Sequence, residues 1–214
     1  EIRSVAADAG ISFYDGEVFT LLPETDVETW LPIIETAGEF RMPVMQITCA
    51  DKDISRAGDK LGRIADAAAQ YDMKMAIEFM RWRAIATIQD ATRLAIASGH
   101  DNVGLLIDAL HLSRSGGSPA DVTALPEGLA VYLQLCDAPA QQPTDNAGCI
   151  AEARTARMFP GEGELWLKEL MAALPLDVVI SVETPHKGDS ALSFTERAEK
   201  GMVATRRFLD NLAS

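Results

Sequence analysis

The sequence predicts an α/β fold built on a mostly parallel sheet, and three observations carry this. Short apolar runs alternate with longer amphipathic ones along the chain, the signature of successive strand and helix units. Several of the short runs, among them VGLLI, VYLQL and DVVISV, are nearly continuous in apolar residues, as strands covered on both faces are. With 214 residues, 48% of them hydrophobic, and no Gly/Ser linker or composition shift, the chain reads as one domain able to bury a real core.

Taken in order, strands are expected at 11–20, 43–48, 73–78, 103–108, 130–135 and 178–183, with helices between them. The chain opens at Glu1, with no Met, in what reads as the middle of a helix. Residues 26–40 form an apolar-rich helix whose start Pro32 shifts or kinks. Residues 55–71 bring Leu61, Ile64, Ala68 and Tyr71 close to one face. Residues 84–98 repeat that pattern and stop at Gly99, a normal C-terminal signal. Ser118-Pro119-Ala120-Asp121 reads as an N-cap, a Pro in the first turn, then an acid against the helix dipole. A helix over 164–174 ends before Pro175, and one over 193–212 closes the chain. The connection from Asp137 to Pro160 stands out by its length, and such loops in compact domains are as a rule functional or disordered.

Composition excludes several classes. Thirty-two acidic residues against 19 basic ones give a net charge of −13, which argues against binding a phosphate backbone. No apolar run approaches the ~20 residues that span a bilayer, and no charged-then-apolar signal segment opens the chain. Cys49, Cys136 and Cys149 are odd in number and lack close CxxC spacing, which fits a reducing, cytoplasmic setting better than a disulfide framework or a zinc knuckle. The partner expected is a small molecule, with no nucleic acid and no membrane. Apolar strands at the sheet edges are compatible with a homo-oligomer, though no stretch specifies a dimer.

The chemistry lies at the strand ends. MAIEF carries Glu78, VGLLID ends on Asp108, VYLQL contains Gln134 and VVISVE ends on Glu183. Each alone reads as an ordinary strand-end polar group or helix cap. On successive parallel strands, however, they all fall on the C-terminal rim, where such folds place their sites. Oxygen donors of this kind suit a hard divalent ion, Mn²⁺ or Mg²⁺, and carboxylates converging without a cation would repel one another. His111, three residues beyond Asp108, is expected on the loop above the rim, within reach of a substrate oxygen or simply solvated. His100 reads as a surface or C-cap residue, and His186 faces either the site or water. Arg157, before the Pro160-Gly161-Glu162-Gly163 turn, could clamp a substrate hydroxylate, carboxylate or phosphate, or pair with a surface acid. Arg81, Trp82 and Arg83 form a pocket wall with an anion contact or pack the next helix.

These residues resemble a family. The landmarks AIEF (Glu78), NVGLLIDALHLSRSGG (Asp108, His111), VYLQLCDAP (Gln134), RMFPGEGEL (Arg157) and ISVET (Glu183) run in the order and spacing of the xylose isomerase-like TIM-barrel superfamily of sugar (phosphate) isomerases and epimerases. The likeness covers residues 74–184; before them only compatible strands and helices are visible. It implies a (β/α)8 TIM barrel whose last four strands hold a metal through Glu78, Asp108, Gln134 and Glu183. The ion would be Mn²⁺ or Mg²⁺, with Co²⁺ or Zn²⁺ as substitutes. Gln as third ligand, where many members have His, resembles the hydroxypyruvate isomerase branch and the inosose and 3-dehydroshikimate dehydratases. The DNA-repair branch needs more histidines than the three present and a basic surface.

The resemblance implies proton abstraction beside a carbonyl, with an enediolate stabilised by the ion. Glu78 and Glu183 would be the catalytic acid/base pair, and His111 and Arg157 would hold substrate oxygens. Returning the proton gives isomerisation or epimerisation of a sugar, polyol or hydroxy acid; expelling a β-hydroxyl gives dehydration. A non-catalytic relative that keeps the barrel is the third reading, and failure to bind Mn²⁺ or Mg²⁺ would favour it. An eight-stranded barrel takes ~250 residues, so the six strands here imply one or two missing β/α units. About fifty N-terminal residues are therefore expected to precede this chain in the natural protein, or a partner chain to close the barrel.

Overall fold

In the computed structural model, which describes residues 1–212, helices and strands alternate. In order they are α1 (Ile2–Asp8), β1 (Asp15–Leu21), α2 (Leu31–Glu39), β2 (Val44–Cys49), α3 (Ile54–Ala69), β3 (Lys74–Glu78), α4 (Ile88–Ser98) and β4 (Val103–Asp108). Then come α5 (Ala109–Arg114), α6 (Pro119–Thr123), β5 (Ala130–Leu135), α7 (Asn146–Thr155), α8 (Leu167–Ala172), β6 (Val179–Val182) and α9 (Phe194–Leu212). The strands neighbour one another in chain order in a six-stranded sheet. The pairs β1/β2, β2/β3, β3/β4 and β5/β6 run parallel. No helix among the described residues is long and apolar enough to cross a membrane.

The chain divides into two compact units, one of Glu1–Phe79, Arg83–Ile85 and Gln89–Leu106, the other of Met80–Trp82, Ala86–Ile88 and Ile107 onward. In the first, every residue of β2 is buried, which is why its sequence is apolar without alternation. α3 starts where the Asp53 side chain accepts the Arg56 backbone N–H, and it buries Ala57, Leu61, Ile64, Ala65 and Ala68 along one stripe. Truncating a core leucine of this kind costs about 2–5 kcal/mol, so Leu61 alone is a large fraction of a domain's net stability. Gly58 and Gly62 let α4 approach: a Cβ on either would lie 2.7 Å from the carbonyl oxygen of Ala97 or Ser98. Asn102 ties α3 to the residue just before β3 by donating to the carbonyls of Ala65 and Met73.

In the second unit Tyr132, Leu133 and Leu135 of β5 are buried. Arg114 of α5 and Glu152 of α7 form a buried ion pair at 2.7 Å, and Arg114 also donates to the Pro139 carbonyl. Ser118 is the expected N-cap of α6, and Asp121, expected only as an acid facing the helix dipole, also accepts the Ser118 backbone N–H at 2.8 Å to make a capping box.

Several boundaries differ from expectation for local reasons. β1 begins at Asp15 rather than residue 11, because pairing with β2 starts at Asp15↔Val44. Phe13 instead packs edge-on against Phe40, ring centroids 5.1 Å apart. The helix over 26–40 splits into a 3-10 turn at Val27–Thr29 and α2, with Pro32 in the first turn, where its missing N–H costs nothing. The helix over 84–98 starts at Ile88, and that over 164–174 is confined to Leu167–Ala172. The long connection after β5 contains α7, capped by Asp145.

Candidate active site

Asp108 ends β4 and caps α5: its Oδ1 accepts the backbone N–H of His111 at 2.8 Å. The cap fixes the carboxylate at the strand end. It also corrects the expectation for His111, which lies not on a loop but inside α5, 2% exposed. Trp82 meets the imidazole edge-on, with ring centroids 5.2 Å apart.

Arg157 joins the group from 49 residues away. The backbone around it is held on both sides: Met158 bridges Asp137 and Ala156 bridges His186. The side chain is 3% exposed, and each of its nitrogens is engaged. Nε donates to the Ala153 carbonyl at 3.0 Å, and Nη1 to Asp108 Oδ2 at 2.6 Å and to Cys136 Sγ at 3.4 Å. Nη2 faces Glu183 Oε2 at 3.2 Å and His111 Nε2 at 3.4 Å. A guanidinium can only donate, so Nε2 is the bare nitrogen of His111 and the ring proton belongs on Nδ1.

Burial and charge set the protonation states. Burial pushes the His111 imidazole down to about 4, and the Arg157 guanidinium adds to this while Asp108 opposes it. The ring is therefore neutral at pH 7. Burial works to raise the Asp108 pKa, yet the Arg157 guanidinium, together with the His111 backbone N–H, holds it below the usual carboxylate range. Burial pushes the Cys136 thiol up to about 12, which leaves it an unreactive neighbour. Asp108 and His111 each present a polar atom within 4.8 Å of the other.

Gln134, on β5, is 1% exposed, and its Oε1 has no hydrogen-bond partner among the described residues. Leaving such an oxygen unmet costs about 1–3 kcal/mol. A buried bare carbonyl in a unit that also holds an ionised Asp108 and a neutral imidazole fits a hard divalent cation. Glu183 follows β6 directly and is half-buried. Glu78 ends β3 in the first unit, 3% exposed, and its Oε2 accepts from Gln46 Nε2 at 2.6 Å. Arg81 donates to the carbonyls of Pro143 and Thr144, holding the segment before α7. His100 follows α4 and lies 3.5 Å from Asp66, and His186 lies 3.8 Å from Asp189.

Sequence reasoning missed Gln46 and Asp137. Gln46 is a lone amide in a buried apolar strand, the same kind of signal that marks Gln134. Asp137 directly follows β5 and is 1% exposed. Its carboxylate accepts the backbone N–H groups of Gly161, Gly163 and Leu165 at 2.9–3.0 Å. It thereby organises the turn that follows Arg157. Gly163 is required there, since a Cβ would lie 2.5 Å from Asp137 Oδ1.

The family model described as xylose isomerase-like TIM barrel matches residues 23–212. Two curated 3-dehydroshikimate dehydratases are similar. One, from Pseudomonas aeruginosa, is 28% identical over 115 residues, covering 53% of this chain. The other, from Pseudomonas putida, is 24% identical over 117 residues, covering 54%. The chain spans 18% of the length of each. Among solved structures, an IolI protein with a bound zinc atom superposes with a TM-score of 0.78 at 17% identity, covering 99% of this chain and 81% of that one. D-psicose 3-epimerase from Clostridium cellulolyticum, solved with D-tagatose, gives 0.76 at 13% identity, with 99% and 82% covered. A probable 3-DHS dehydratase, AsbF from Bacillus anthracis, gives 0.71 at 14% identity, with 98% and 80% covered. At these identities the likeness is one of fold, the α/β TIM-barrel class.

Proposed function

The chain belongs to the xylose isomerase-like TIM-barrel family, and from that membership we propose that it is a divalent-metal-dependent isomerase or epimerase of a small sugar or hydroxy-carbonyl compound. The observation that carries the reading is the bare, buried carbonyl of Gln134 in a unit that also buries Asp108, His111 and Arg157. Glu78, Asp108, Gln134 and Glu183 are the metal ligands in this reading. An oxygen donor set favours Mn²⁺ or Mg²⁺ over Zn²⁺. Three free, buried cysteines suit a cytoplasmic setting.

The cation, when bound, polarises the substrate carbonyl and stabilises the negative charge that develops on its oxygen. The side chains do the rest. Glu183, with its carboxylate 39% exposed, can exchange a proton with solvent, whereas Glu78 is buried. One takes the proton from the carbon beside the carbonyl and the other returns it. The neutral His111, with its proton on Nδ1, can donate to a substrate oxygen without bringing a full charge. Arg157 holds Asp108 and Glu183 in register and keeps Asp108 ionised.

Glu183→Gln tests the reading. The variant is expected to melt within a few degrees of the parent and to lose turnover by roughly 10²–10⁴-fold; retained turnover refutes the assignment. A second reading, dehydration, is favoured by the two 3-dehydroshikimate dehydratase relatives. The proton then goes to a β-hydroxyl rather than back to carbon, and that hydroxyl leaves as water. Incubation with 3-dehydroshikimate or inosose, followed by ultraviolet absorbance, separates the two: a rising absorbance assigns the dehydratase, and turnover of ketoses or hydroxypyruvate without it assigns the isomerase.

A further inference from the structure

β2 carries one amide in a buried apolar run, Val44-Met45-Gln46-Ile47-Thr48-Cys49. A buried amide is costly unless bonded, and this one donates from Nε2 to Glu78 Oε2 at 2.6 Å with both residues 3% exposed. A carboxylate only accepts, so the amide nitrogen must be the atom that faces it. The sheet register explains how the contact is reached. Gln46 pairs with Ala76, and Ala76 with Gly104. The two positions level with the amide across the sheet thus carry a methyl and a hydrogen. Side chains two residues apart share a face, so Gln46 extends past Ala76 to Glu78 on the same side. A larger residue at Ala76 would fill that path.

We propose that Gln46 is the positioning residue for Glu78. Its charge-assisted hydrogen bond holds the carboxylate in one rotamer and fixes which oxygen is turned toward the amide, so that the carboxylate meets cation and substrate in a single orientation. This rests on the reading of Glu78 as a metal ligand. Gln46 acts through Glu78 and touches no reacting atom.

The test uses Gln46→Leu, Glu78→Gln and the double variant, with Mn²⁺ binding followed by calorimetry. Gln46→Leu is expected to weaken Mn²⁺ binding by roughly 10- to 100-fold. In the Glu78→Gln background the same change is expected to cost nothing further. Binding equal to the parent in Gln46→Leu, or a full additional loss in the double variant, overturns the role of Gln46 while leaving the metal reading intact. A parent that binds neither Mn²⁺ nor Mg²⁺ overturns the metal reading and this role with it. A second measurement needs neither metal nor a folded Gln46 variant. In the metal-free parent, the Gln46 side-chain amide proton facing Glu78 should resonate downfield of the other glutamine amides and move back toward them in Glu78→Gln. An unshifted Gln46 amide overturns the proposal.

Discussion

Arg157→Met removes the cation that balances Asp108 while keeping much of the side-chain volume. The pair is buried on both sides, 3% and 1% exposed, with a 2.6 Å contact. Breaking a buried ion pair from one side costs about 3–5 kcal/mol, because the remaining charge is stranded. For a chain of this size each kcal/mol moves Tm by about 2–4 °C, so a fall of roughly 6–20 °C is expected. The lost bond to the Ala153 carbonyl adds to this, and the half-exposed contact with Glu183 adds little. Asp108→Asn preserves the cap on the His111 N–H but leaves the guanidinium without its anion. The double variant strands no charge, so it should be less destabilised than the sum of the singles by about 2–3 kcal/mol. Thermal unfolding by circular dichroism at pH 7 in chelator measures all four proteins. Repeating it in excess MnCl₂ should raise the Tm of Arg157→Met more than that of the parent, since the added cation takes over the balancing charge. A coupling below about 0.5 kcal/mol would show the two sites to be independent and refute the account of this cluster.

Two further outcomes are expected. Gly163→Ala places a Cβ 2.5 Å from Asp137 Oδ1 and 2.6 Å from the Ala138 carbonyl oxygen; the turn must shift, at a cost of about 2–3 kcal/mol. Urea unfolding reads this directly, and an unchanged midpoint would contradict the role of Asp137. Acid should also destabilise the protein through His111. Above pH 6.5 the ring is neutral in both states and contributes nothing. Below it the unfolded ring takes up a proton that the folded ring, at about 4, refuses. Stability therefore falls as pH drops from 6.5 to 4, by up to about 3 kcal/mol. Asp108, also depressed, adds loss in the same direction as pH falls through its folded pKa. His111→Gln should flatten the slope between pH 6.5 and 4, and an unaltered slope would locate the proton uptake elsewhere.

Much of the fold was legible because its signals are local. The expected bounds of β4 and β5 agree with the structure, since strands buried along most or all of their length declare themselves as nearly unbroken apolar runs. The Ser118 N-cap, with Pro119 and Asp121 in the first turn, spans four residues and needs no tertiary context. Elements too short or too solvated for periodicity were not legible. α5 has six residues, and α7 buries only Cys149 and Ala153. The first of these is why a loop was expected at His111.

For the site, the sequence by itself determined the donor types at the strand ends and the family that shares them. Only the tertiary structure decided how they are used. Asp108 and Arg157 lie 49 residues apart, Gln46 and Glu78 32 apart, and Asp137 and Leu165 28 apart. Caps, turns and strand alternation are written within a few residues of one another, and so can be read from them. A buried charge finds its counter-charge wherever the folded chain brings one. Which arginine neutralises Asp108, and which amide steadies Glu78, is settled by strand register and burial rather than by spacing along the chain.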